Sequence, residues 1–125
     1  MKIYTGNFAN LKKYVGLHPI SIALSSRYFN GSVYRTLNPD WGFKNDPEPL
    51  YTEKFNAKLL KLNRENVIKE LSIISGSEDV ILLCHEKAGN FCHRNLVAKW
   101  LEMDVEEFNT KKIEKEVEKE LVLFE

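Results

Sequence analysis

The sequence is poor in reactive side chains: 125 residues hold two cysteines and three histidines. Two thiols in a chain this long are too few for a disulfide-stapled scaffold, and a domain of this size buries roughly two-thirds of its unfolded surface without one. Neither sign of charge is in excess, with 18 basic and 18 acidic residues. A face built to track phosphate backbones would leave a basic surplus, so a broad nucleic-acid surface is not expected. Long apolar runs are also missing. The longest, Val80–Cys84, is five residues, far short of the roughly 20 a membrane helix needs. Met1 and Lys2 lead into Ile3, Tyr4, Thr5 and Gly6, not into a leader-like apolar stretch. The expectation is a cytoplasmic protein without membrane contact, in which paired cysteines act as free thiols, ligands or redox groups more often than as structural bridges.

What the sequence does have is concentrated. Cys84, His85, Glu86, Lys87, Cys92, His93 and Arg94 fall within one span of eleven residues. The apolar run 80–84 reads as a central strand covered on both faces. A helix is predicted from about residue 93 to 103, with Leu96, Val97, Trp100 and Leu101 facing inward. Cys84 then ends a strand and Cys92 opens a helix, where unpaired amides and the helix dipole favour an anion or a thiolate. Arg94 offers a planar donor fork for phosphate or carboxylate. Glu86 and His93 are candidate acids or bases near neutral pH.

The rest of the chain reads as alternating strands and helices. Strands are predicted at 2–5 and 20–24, with Asn7 capping a short helix to about Tyr14. Residues 28–50 form a long loop with three of the four prolines, and Val33 and Tyr34 as a short strand. Thr52 is a candidate cap for a helix to about residue 62. Asn63 caps another through Ser75, with Val67, Ile68, Leu71 and Ile74 on one stripe and Gly76 as its stop. Asp104 and Glu107 have capping-box spacing. Ile113, Val117 and Leu121 then recur every four residues, giving an amphipathic carboxyl-terminal helix with Lys/Glu pairs at its surface.

This pattern predicts one α/β domain: a small, mostly parallel, Rossmann-like sheet in three layers, flanked by helices, with core 2–103 and a helical extension 104–125. Ligands in such sheets sit beyond the carboxyl ends of the strands. That places Thr5, Asn7, Ser25 and Arg27 beside Cys84, Glu86, Lys87, Cys92, His93 and Arg94. Three chemistries compete. A phosphatase-type loop puts cysteine and arginine at the ends of one short phosphate cradle. Here nine residues separate Cys84 from Arg94 and one separates Cys92 from Arg94, so that pattern fails. Zinc ligation by Cys84, His85, Cys92 and His93 lacks paired-cysteine spacing. A redox dithiol lacks the thioredoxin spacing. The preferred expectation is a pocket for a small anionic or nucleotide-like molecule, without a cofactor or resident metal. There Cys84, Glu86, Cys92 and His93 are the candidate catalytic groups, and Thr5, Asn7, Ser25, Arg27, Lys87 and Arg94 the binding groups. The competing expectation is a non-enzymatic interaction module in which the cluster is structural or a zinc clip.

The segment Leu82, Leu83, Cys84, Glu86, Lys87, Gly89, Cys92, His93 and Arg94 resembles the signature of domain-of-unknown-function family 488, whose members are bacterial and phage proteins. The opening "KIYTGNFANLKK", the strand "PISIAL" and "YRTLNPDWGF" are similar to the family's short members at the same places. The resemblance covers most of residues 2–103 and implies a compact α/β domain with a pocket at three strand ends. It implies no particular reaction.

Overall fold

The computed structural model describes residues 1–26, 28–86 and 91–108. Five parallel strands form one sheet: β1 (Ile3–Asn7), β2 (His18–Ser21), β3 (Ser32–Val33), β4 (Val80–Cys84) and β5 (Val105–Glu107), in the order β3-β2-β4-β1-β5. Among the described residues three α-helices follow the chain between strands: α1 (Glu48–Leu60), α2 (Arg64–Ser75) and α3 (His93–Trp100). The predicted α/β architecture is therefore present. The stripe of Ile113, Val117 and Leu121, together with Arg27 and Lys87, lies outside the described residues.

β4 sits in the centre of the sheet, and all five of its residues are buried. Alternation sends its side chains to two different cores. Val80 and Leu82 join Ile3, Ile20 and Ile22 beneath the three helices, packed by Phe55, Leu59, Val67, Leu71, Val97 and Leu101. Ile81 and Leu83 face the opposite side, where Tyr14, Phe8, Leu11, Phe29 and Phe108 cover them. Part of that second layer is a 3-10 segment, Phe8–Lys13, capped by the Asn7 side chain accepting from the Asn10 amide at 3.1 Å.

Several boundaries differ from the sequence reading, each for a local reason. β2 begins at His18 rather than residue 20, with Pro19 inside it. The amides of His18 and Ile22 donate to the carbonyls of Asp79, just before β4, and Leu83, within it, so the missing amide of Pro19 faces the other side. β3 starts only opposite Ile20, and the proline therefore breaks no ladder bond. α1 starts at Glu48 because Pro47 and Pro49 lie at its first turn, where amides have no intrahelical partner. α2 forms as predicted: Asn63 caps the Asn66 amide at 3.0 Å, and Gly76 ends it at φ 64°. The capping box at Asp104 and Glu107 does not start a helix. Residues 105–107 instead pair with Ile3, Tyr4 and Thr5, and Val105 packs on the core.

Gly6 marks the tightest packing of the sheet on its second layer. A Cβ there would lie 2.6 Å from the Tyr14 hydroxyl and 2.7 Å from Ile81 Cδ1. The same hydroxyl accepts from the Asn7 amide at 3.1 Å. Gly6→Ala is expected to lower unfolding free energy by about 1–3 kcal/mol. Urea titration checks this, and a loss below about 0.5 kcal/mol, the scatter of ordinary surface changes, would show that Tyr14 moves aside freely.

Candidate functional site

β2 and β4 are neighbours whose chains leave in opposite directions. β2 continues outward to β3, while β4 continues through α3 to β5 on the far side of β1. A crevice at such a reversal is the expected ligand position in an open parallel sheet. A cleft of about 290 Å³ lies there. Its floor is Ala23 and Leu24 after β2 and Cys84, His85 and Glu86 at the end of β4, with Cys92 and His93 from the start of α3. Its outer wall comes from the long loop and the first turn of α1: Asp40, Lys44, Asp46, Glu48 and Tyr51, with Phe91 edge-on to Tyr51 at 5.3 Å.

The two sulfurs meet in this cleft. Cys84 and Cys92 are joined as a disulfide, with eight residues of sequence separation. His93 is buried, and its Nε2 donates to the Ile22 carbonyl at 2.6 Å. A carbonyl only accepts, so Nε2 carries the proton and Nδ1 presents its lone pair. That nitrogen lies 3.6 Å from Cys92 Sγ. Burial is the main cause that pushes the His93 pKa down to about 4, and the bond to Ile22 opposes it. The imidazole is thus neutral across ordinary pH.

Arg94 has no solvent exposure. Its Nε and Nη2 donate to both carboxylate oxygens of Glu107 at 2.9–3.2 Å. Its Nη1 donates to Cys84 Sγ at 2.9 Å. The expected anion-binding arginine is therefore occupied inside the protein, and it does not line the cleft. Glu107, in β5, is its counter-ion.

The structure brings Cys84, Glu86, Cys92 and His93 together around one cleft and adds His85, whose Nε2 donates to the Ser25 carbonyl at 2.6 Å. It does not bring Thr5 or Asn7 there: Thr5 is buried in β1, and the Asn7 side chain is used as a cap. Ser25 lines two adjoining hollows instead. The cleft is also not the electropositive hollow the sequence suggested. Among the described residues, Asp40, Asp46, Glu48 and Glu86 line it against Lys44, although Lys58 and Lys54 pair with Asp40 and Asp46. Sequence reasoning missed this wall because it comes from an irregular segment. The one available signal was the length and aromatic content of loop 28–50.

Among the described residues, Cys84, Cys92 and His93 are the only three metal-type donors found together, within 4.8 Å. The sulfurs are bonded to each other, and Cys84 Sγ already accepts from a guanidinium, a neighbour that favours an anion over a bound cation. As arranged, the two sulfurs form a disulfide rather than a ligand set.

Two consequences follow for stability. Glu107→Ala leaves a buried guanidinium uncompensated and should cost about 3–5 kcal/mol. An unchanged denaturation midpoint would mean that Arg94 finds another partner. For His93, the folded pKa lies below the unfolded value of 6.5, so the unfolded state binds more protons between the two. Stability from this group is fully present above about pH 6.5 and falls as pH drops toward 4, by about 3 kcal/mol in total. Unfolding titrations over that range should show the slope in the wild type and a shallower one in His93→Gln.

No curated protein and no solved structure matches the chain. A family model described as "Active DUF488-N3 subclade" matches residues 26–104, a stretch that holds β3, β4, all three helices and the whole sulfur cluster. The chain belongs to the DUF488 family, in its N3 subclade.

Proposed function

We propose that the β2–β4 cleft binds a small nucleoside-like molecule and transforms it by thiol chemistry, with Cys92 as the nucleophile of the reduced protein. The observation that carries this reading is the fixed tautomer of His93. Its Nε2 proton is held by Ile22, which leaves Nδ1 as an acceptor facing Cys92 Sγ. A thiol at that position donates to Nδ1, and an imidazole so placed takes the proton as the sulfur attacks. Glu86, exposed at the cleft edge, is the second acid or base.

The lining supports a nucleoside-like ligand over a highly charged one. Tyr51 and Phe91 offer ring faces and edges for a planar group. Glu48 and Glu86 offer acceptors for hydroxyl groups, and Lys44 is the one lysine on the wall among the described residues. A single phosphate can meet Lys44, but a polyphosphate would face four carboxylates. The word "Active" in the description of the matched family agrees with a catalytic reading.

The crosslink also fits a second reading, a structural clip between the end of β4 and the start of α3 in a non-enzymatic module. Two measurements separate them. In the reduced protein a thiolate at Cys92 should favour the charged imidazole, raising the His93 pKa by about 1–3 relative to the oxidised protein. Histidine NMR titrations in both states read this directly. Adenosine should raise the melting temperature of the reduced protein, with the gain lost in Tyr51→Ala and kept in Cys92→Ser. An unmoved His93 titration together with no adenosine response would leave only the clip.

A further inference from the structure

We propose that the Cys84–Cys92 disulfide is itself a reagent that exchanges with a low-molecular-mass thiol, with Cys92 as the sulfur attacked and Cys84 as the sulfur released. The assignment is independent of what the cleft binds. It rests on the unequal surroundings of two sulfurs that share one bond.

Cys84 Sγ receives the Nη1 donor of Arg94 at 2.9 Å. A disulfide sulfur is a weak acceptor, but a departing thiolate is a strong one, and a cationic donor already aimed at it needs no rearrangement as charge develops. The guanidinium cannot easily turn away. It is fully buried, and its other edge is held by both oxygens of Glu107. Glu107 is thus a positioning residue acting through Arg94. Among the described residues Cys92 Sγ has no comparable donor, and it makes no capping bond to the helix it precedes. Its imidazole neighbour presents a lone pair, since the ring proton is committed to Ile22, so in the oxidised protein it offers that sulfur no donor. Both cysteines are buried but line the same cleft, which is the route by which an incoming thiol would approach the bond.

The step balances as follows. A thiol that has lost its proton to solvent attacks Cys92 Sγ, and a new sulfur–sulfur bond forms there. The Cys84–Cys92 bond breaks, and its electron pair leaves on Cys84 Sγ as a thiolate facing Arg94. A second thiolate then attacks the mixed disulfide at the small molecule's own sulfur. The oxidised small-molecule disulfide departs, and Cys92 takes a proton from solvent. The protein pair is reduced by two electrons and the two small thiols are oxidised by two. Faster departure of the better-stabilised thiolate sets the direction of attack.

Glutathione is the probe. Oxidised wild-type protein is mixed with it, quenched in acid, labelled with a maleimide and read by peptide mass spectrometry. Glutathione should be on the Cys92 peptide and maleimide on the Cys84 peptide, with a preference of about tenfold or more. A preference for Cys84, an even split, or no adduct at either cysteine overturns the proposal. In reduced wild-type protein, alkylation of Cys84 should have its pH midpoint below the free-cysteine value of about 8.5. A midpoint at or above it also overturns the proposal, and this reading needs no variant should Arg94→Met fail to fold. Where Arg94→Met and Arg94→Lys do fold, Met should raise the Cys84 midpoint by more than Lys. An unchanged midpoint in Arg94→Met removes the arginine's role.

Discussion

A positive charge with no access to water organises this end of the molecule. Burying a guanidinium is tolerable only if its donors and its charge are both met inside the protein. Arg94 meets them with a carboxylate from β5 and a sulfur from β4. Because Arg94 belongs to α3, this one side chain ties a helix to two strands that lie on either side of β1. The start of α3 is thereby fixed against the sheet, and Cys92 and His93 are fixed with it. The orientation of the imidazole follows from the same anchoring, since its proton reaches back to the carbonyl of Ile22 just beyond β2.

Much of the fold was legible because its signals are local. Val80 to Cys84 could hardly be anything other than a covered strand, and α2 carries both its cap and its glycine stop within its own sequence. β5 was not legible. Three residues of mixed character have no period, and only their pairing with Ile3, Tyr4 and Thr5 makes them a strand. Prolines at the first turn of α1 looked like loop because their cost depends on which amides are already unpaired.

The site divides in the same way. The convergence of Cys84 with Cys92 and His93 could be read from a strand end followed by a helix start. The fate of Arg94 could not, because Glu107 lies thirteen residues further along and meets it only after the chain crosses to the sheet margin. An arginine beside a helix start suggests anion capture, yet the anion it captures is the protein's own. The charge of the cleft was equally hidden. Most of its described charges come from residues 40–48, which carry no periodic pattern and reach the strand ends by tertiary folding alone.

Pro19 has a consequence beyond the position of β2. The outermost strand on its side is only two residues long, and at the opposite margin β5 has three. Next to the shorter margin, the proline withholds an amide that could have extended the ladder toward the amino end of β2. A stray chain laid along either described border therefore finds few partners to copy, which disfavours edge-to-edge pairing of a sheet rich in aliphatic side chains.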